Sequence, residues 1–344
     1  MDTTNQKIIN AIIEKANRVC PDSVALIGIY GSVATGDVHE KSDLDLLILI
    51  QNEEGWKLGS GFILNDKKVG YDIYCTDWNG LRYDAECHHA HLSKLMDSQI
   101  VHVNDPDAYK ELLRLRKQAE QFLESEKRFQ RADALVNKAK NSYGNACLYD
   151  ELGQVRLAAF GVIHNLMDAV MLYHGTYFKR GVKRVFEELE GLPLDDLFAD
   201  TIRKIVVSKD VFELRQLLKI LILYTSGYMH REKPKSEPTD TLAGTYEEMY
   251  SNWRNKVEEA AESHDVFASF ANMCSLHFMF KEISAEAEIG IFDIMDAYSA
   301  DSLEDNVRTF DRYLEKYEEV YARAGIRVKR FADVDEFVAS YLSE

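Results

Sequence analysis

Apolar residues in the first hundred positions follow two rhythms. Ile8, Ile9, Ile12, Ile13, Ala16 and Val19 recur at helical spacing and predict an amphipathic helix over residues 5–20, ended near Pro21. Residues 24–30 and 44–50 are instead short, nearly unbroken apolar runs, the pattern of strands buried on both faces. Gly59, Ser60 and Gly61 punctuate the approach to Phe62-Ile63-Leu64. Asn65-Asp66 reads as a hairpin turn and residues 68–75 as the returning strand. A helix is predicted over residues 77–96 and a last strand over 100–103.

From Pro106 onward the strand signal fades. Helical periodicity runs through residues 107–126, 128–150, 151–174 and 211–230, and again through 246–263, 266–283, 286–298 and 303–324. Leu192-Pro193-Leu194 breaks the pattern, and residues 232–245, with Pro234, Pro238 and Gly244, form the most loop-like stretch. Residues 326–331 read as a short strand, and Asp333 with Glu336 as a capping box for a terminal helix. The expected class is α+β. An N-terminal domain over 1–105 carries a mixed sheet flanked by helices, and an all-helical domain over 106–344 follows. Two domains suit 344 residues at roughly 150 residues each.

Composition narrows the partners. At 46% hydrophobic and 29% charged, the chain has ample material for packed cores. A net charge of −17 makes nucleic acid an unlikely partner and favours a cationic small molecule. Cys20, Cys75, Cys87, Cys147 and Cys274 are odd in number and form no Cys-x-x-Cys pair, which points to a reducing, cytoplasmic setting without a disulfide or zinc framework. The N-terminus shows no signal-peptide pattern, and the apolar segment 211–229 is broken by Glu213, Arg215 and Lys219, so no membrane span is expected. A homodimer is left open.

The chemistry concentrates in residues 30–50. Gly31-Ser32 follows the first apolar run, and Ser42-Asp43-Leu44-Asp45 opens the second. At i and i+2 on a strand, the carboxylates of Asp43 and Asp45 point to one face. Two like charges so close call for a cation, and hard oxygen ligands suit Mg²⁺ with phosphate oxygens completing its shell. The glycine turn offers backbone N–H groups to a phosphate. Together these residues describe a metal–nucleotide site.

This arrangement resembles the signature of the DNA polymerase β-like nucleotidyltransferase superfamily. Glycine, serine, the two aspartates and the flanking strands are in register over about residues 24–75. The resemblance implies transfer of a nucleoside monophosphate from an NTP (ATP or GTP) to an acceptor hydroxyl, with pyrophosphate released and two Mg²⁺ ions held by Asp43, Asp45 and a third carboxylate. Asp72, in Tyr71-Asp72-Ile73, fits that third place. Gly31, Ser32 and Ser42 would hold the phosphates. Beyond the motif, the chain is similar to the kanamycin (4′-aminoglycoside) nucleotidyltransferases, which implies a hydroxylated, aminoglycoside-like acceptor and a role in antibiotic resistance. Their general base sits in a Glu-x-x-Gly-Lys-x-Arg context, whose nearest counterpart is Asp150-Glu151-Leu152-Gly153-Gln154-Val155-Arg156. Asp150 or Glu151 would then be the base. Gln154 replaces the family's lysine, and Gly70 stands where the kanamycin pattern has its third carboxylate. Other readings are a transferase acting on a protein or tRNA and a non-catalytic nucleotide-binding regulator.

Two further groups stand out. Lys179-Arg180 and Lys183-Arg184 are either a solvated helix start or a triphosphate-binding patch, with Lys179 and Lys183 as its contacts. Cys87-His88-His89-Ala90-His91 offers metal-ligand types, yet no further ligands follow at zinc-site spacing, so a helix surface is expected there.

Overall fold

The computed structural model describes residues 3–231 and 238–343. Elements follow in the order α1 (Thr3–Val19), β1 (Val24–Ile29), α2 (Gly31–Thr35), β2 (Leu46–Ile50), β3 (Ser60–Leu64), β4 (Val69–Ile73) and β5 (Cys75–Thr76). Next come α3 (Trp78–Ala85), α4 (Ser93–Met96), β6 (Gln99–Val103), α5 (Pro106–Glu124), α6 (Lys127–Leu148) and α7 (Leu152–Tyr173). The rest are α8 (Val185–Leu189), α9 (Asp196–Val207), α10 (Val211–Tyr228), α11 (Pro238–Leu242), α12 (Thr245–Met249), α13 (Asn255–Glu262), α14 (Val266–Glu286), α15 (Leu303–Arg323) and α16 (Val334–Tyr341). Among the described residues every strand precedes Asn104, so the fold is α+β with its strands confined to the N-terminal part.

Four strands form a mixed sheet in the order β5-β2-β1-β6. β1 is antiparallel to β2 and β6, and β2 is parallel to β5. β3 and β4 make a separate antiparallel hairpin. β2 shows why its sequence is apolar throughout. Leu46, Ile48 and Ile50 face one core with Ile9, Ile12 and Ala16 of α1, while Leu47 and Leu49 face a second, larger core. That larger core runs without interruption from Leu26, Leu47 and Leu49 into Leu112 of α5, Leu166 of α7 and Leu221 of α10.

The packing boundary therefore differs from the expected one. The chain divides into two compact units, Met1–His230 and Arg231–Glu344, rather than at residue 105. Element type changes at Pro106, but α5 to α10 complete the core on one face of the sheet, and a sheet face cannot be left bare. In the second unit, α12 to α15 enclose a core of Met249, Met273, Phe280, Phe310, Tyr317 and neighbours. Two buried polar groups are paired within it: Tyr321 accepts from the Tyr246 amide at 2.7 Å, and the Asn306 side chain bonds the Ser269 hydroxyl, the Ser299 carbonyl and the Ser299 amide.

Smaller differences have local causes. The helix expected over 77–96 stops at Ala85, because Cys87 adopts a left-handed φ of 50° with its side chain fully buried. Residues 326–331 form no strand. The helix expected over 286–298 is reduced to a single 3₁₀ turn, Ile294–Ala297. The capping box is present: Asp333 accepts from the Glu336 amide at 2.9 Å. The loop expected over 232–245 lies partly outside the described residues, while Thr239–Leu242 belong to α11. One described helix, α7, is long and apolar enough by length and composition to cross a membrane, a feature not singled out in the sequence. Its Val155, Val162, Leu166 and Leu172 are buried in the larger core.

Candidate active site

The site begins where β1 ends. The Tyr30 amide donates to the Asp45 carbonyl at 3.1 Å, tying the exit of β1 to the head of β2. The chain then turns at Gly31, φ 65°, into the short helix α2. A Cβ at Gly31 would stand 1.9 Å from Asp45 Oδ2, so only glycine lets the turn close over this carboxylate. After Gly36 the loop folds on itself. The His39 amide donates to the Ser42 hydroxyl at 3.0 Å, and the Ser42 amide returns to the His39 carbonyl at 2.9 Å.

Asp43 and Asp45 lie two apart in the run into β2 and share the face of Leu47 and Leu49. Asp43 is exposed and Asp45 is half-buried. Burial pushes the Asp45 carboxyl up, the Asp43 charge adds to this, and a hydrogen bond from the Ser32 amide opposes it. Burial and the charges of Asp45, Asp84 and Asp43 push the neighbouring Tyr30 phenol up to about 12, so it stays protonated at neutral pH. A cation between Asp43 and Asp45 would relieve both effects, and their hard oxygens fit Mg²⁺.

Gly31, Ser32, Ser42, Asp43 and Asp45 all line one cavity of about 470 Å³. Its opposite wall is the segment from Phe178 to Arg184. The Phe178 amide donates to the Ala90 carbonyl at 2.8 Å, and Glu188 accepts from the Lys179 and Arg180 amides, each at 2.8 Å. Arg184 grips Asp37 through two parallel hydrogen bonds of 2.8 and 2.7 Å. Lys183 is exposed and makes no ion pair among the described residues, which leaves its ammonium available to a ligand.

The remaining expected residues fall elsewhere. Asp72 is exposed and does not line the cavity. Val69, Tyr71 and Ile73 of β4 join the core on the α1 side, so Asp72 points away from that core. Its strand pairs with β3, Asp72 opposite Gly61, in the separate hairpin rather than in the sheet that carries Asp43 and Asp45. Neither Asp150 nor Glu151, the residues expected to supply the base, lines the cavity. Both sit in the turn between α6 and α7, and Asp150 pairs with Arg215 at 3.3 Å with its side chain 97% exposed. Asp168, which meets the lining residue His91, lies seventeen positions beyond Glu151, about 25 Å along α7 at 1.5 Å per residue. The similarity of residues 150–156 to the kanamycin motif thus brings no carboxylate to the cavity.

Asp84 and Lys94, which the sequence did not single out, line the cavity, as do His89 and His91, which were expected on a helix surface. The Asp84 carboxylate is buried, 3.3 Å from His89 Nε2 and 3.2 Å from the Lys94 ammonium. Reading residues 77–96 as one helix turned these side chains outward. The signal that something else happens is a buried cysteine followed by three histidines within four residues, with buried Ala90 and Leu92 out of helical phase.

The sheet carries a Gly-Ser turn at the end of one strand and two aspartates at the head of its antiparallel neighbour, groups of the kind that would hold a metal-bound phosphate ester. Residues 7–130 match the family model of the nucleotidyltransferase domain. That match agrees with the resemblance to the polymerase β-like nucleotidyltransferases carried by residues 24–75. No curated protein matches the chain. Among solved structures it is similar to a nucleotidyltransferase-like protein from Exiguobacterium sibiricum 255-15, at 15% identity over 76% of this chain and 92% of that one. The TM-score of 0.33 is too low for that likeness to carry any argument.

Proposed function

We propose that the chain is a Mg²⁺-dependent enzyme that moves a nucleoside monophosphate from an NTP to a hydroxyl of a small, aminoglycoside-like molecule. The observation that carries this reading is the meeting of Asp43, Asp45 and the Gly31-Ser32 turn with the basic segment Lys179–Arg184 around one cavity. Its volume, about 470 Å³, falls within the usual range for small-ligand sites.

In this reading the acceptor oxygen attacks the α-phosphorus in line. The bond from that phosphorus to the bridging oxygen breaks, the hydroxyl proton passes to solvent, and pyrophosphate leaves. Bound Mg²⁺ supplies charge neutralisation at the reacting phosphate oxygens. Asp43 and Asp45 would be its ligands, with Asp72 of β4 as the third carboxylate that the resemblance implies. Ser32, Ser42, Lys179 and Lys183 hold the departing phosphates, while Arg184 keeps the 36–45 loop in place through Asp37. The rate comes chiefly from positioning and electrostatics. The net charge of −17 suits a cationic acceptor.

The test is pyrophosphate release from ATP or GTP against a panel of aminoglycosides and other polyhydroxylated amines, with Mg²⁺ present and absent. Turnover with one acceptor, lost in Asp43→Asn, supports the reading. Silence across the panel removes the antibiotic acceptor, and NTP turnover insensitive to Asp43→Asn removes the site.

A further inference from the structure

His91, His164 and Asp168 present three ligand atoms that all lie within 4.8 Å of one another. His164 and Asp168 are four apart on α7, one turn along the same face. His91 reaches them from the segment after the break at Cys87. His91 Nε2 is 3.4 Å from Asp168 Oδ1, and His164 Nδ1 is 3.4 Å from Asp168 Oδ2.

Each histidine faces its own carboxylate oxygen, and the three ligand atoms are close enough for one cation to gather them. Asp168 is 2% exposed, and its Oδ1 has no hydrogen-bond partner among the described residues. A buried carboxylate oxygen left in that state is costly. Zinc–ligand bonds of 2.0–2.1 Å in a tetrahedron put neighbouring ligand atoms about 3.3–3.4 Å apart. The rings are held in place: Phe178 stacks on His91 at 5.0 Å between centroids, and Phe160 meets His164 edge-on at 5.7 Å. The two imidazole side chains remain 41% and 39% exposed, so an ion has a way in and an open side once bound.

We propose that His91, His164 and Asp168 form a binding site for a Zn²⁺-class divalent ion, separate from the Asp43–Asp45 pair and bordering the same cavity through His91. Two imidazoles and one carboxylate favour a borderline transition ion over Mg²⁺, which prefers oxygen alone. Three protein ligands with one position open is the pattern of zinc sites that take water or substrate as the fourth ligand. The acceptor's hydroxyl or amine is the group such an ion would bind at this edge of the cavity.

The experiment is calorimetric titration of the full chain with ZnSO₄ in millimolar Mg²⁺, together with the visible spectrum of the Co²⁺ form. Wild type takes up one equivalent of Zn²⁺, and its Co²⁺ form absorbs intensely between 500 and 650 nm, on the order expected for a four-coordinate N/O site. His164→Gln and His91→Gln, with far-UV spectra and melting curves verifying the fold, lower Zn²⁺ affinity at least tenfold and lose the cobalt band. Asp43→Asn keeps both signals, which separates this site from the transferase reading. Failure of wild type to bind Zn²⁺, or unchanged binding in both histidine variants, overturns the proposal and leaves a His164–Asp168 ion pair.

Discussion

Arg184 and Asp37, 147 positions apart in the chain, are joined by two parallel hydrogen bonds that close one side of the cavity. The guanidinium holds the Asp37 carboxyl well below the usual carboxylate range, at about 2. A depressed folded-state pKa contributes stability that is present above the unfolded value near 3.8 and lost as pH falls through 2. Wild type should therefore melt above Asp37→Asn by a constant margin from pH 5 to 7, and the margin should shrink toward zero near pH 2, on the order of the two pKa values. The pair is about 30% exposed, so the margin is modest and falls with salt. Thermal melts of both proteins across pH and NaCl concentration decide it, and a margin independent of pH would refute the coupling.

The close approach of Gly31 to Asp45 gives a second prediction. Gly31→Ala combines a strained positive φ with a Cβ overlapping a half-buried carboxylate, and should cost about 2–4 kcal/mol and all NTP binding. Gly36→Ala is the control. Its φ is 75° but nothing lies within 4 Å of the added Cβ, so it should cost about 1–2 kcal/mol and keep NTP binding. Denaturant melts and nucleotide titration compare the two, and equal losses would remove the argument from the Gly31 turn.

Much of this architecture was legible because it is local. The unbroken apolar run of residues 44–50 marks a strand buried on both faces, the Gly31-Ser32 turn marks the end of the strand before it, and the i, i+2 aspartates share a face by the two-residue period of a strand. What stayed hidden depends on long-range packing. The larger core joins the sheet to α5 through α10, so a boundary read from element type fell at residue 105 while the compact unit extends to His230. The His89–Asp84 and His91–Asp168 pairs were hidden because they need the break at Cys87, where a buried side chain outweighs helical periodicity. Residues 150–156 went the other way: a short likeness to a known motif points to a helix end about 25 Å from Asp168, the α7 residue that meets the lining residue His91.

That misplacement is itself testable. Asp150 is almost fully exposed and its ion pair with Arg215 is of the kind worth about 0–1 kcal/mol. Glu151 precedes α7 and makes no side-chain cap. Asp150→Asn and Glu151→Gln should each keep kcat within about twofold, because general-base loss costs roughly 10²–10⁴-fold and neither residue reaches the cavity. Steady-state pyrophosphate release is the readout. A hundredfold drop in either variant would return the base to this turn.

Asp45 offers the sharpest link between stability and chemistry. Its folded-state pKa is raised by burial and by Asp43, so ionising it costs stability. That cost is absent at pH values below the unfolded pKa and grows as pH rises through the folded one, the reverse of the Asp37 case. In EDTA at pH 7, Asp45→Asn should therefore melt a few degrees above wild type, and the gain should vanish below about pH 4. Asparagine still offers an oxygen to the Ser32 amide, so the comparison isolates the charge. Adding Mg²⁺ and NTP should reverse the order, since ligands that bind the folded state stabilise wild type by mass action while the variant lacks a ligand oxygen charge. Activity should fall to background in the same variant. If wild type were the more stable protein in EDTA and Mg²⁺ with NTP raised both melting points equally, Asp45 would be a structural acid, and the metal would have to be sought elsewhere in the cavity.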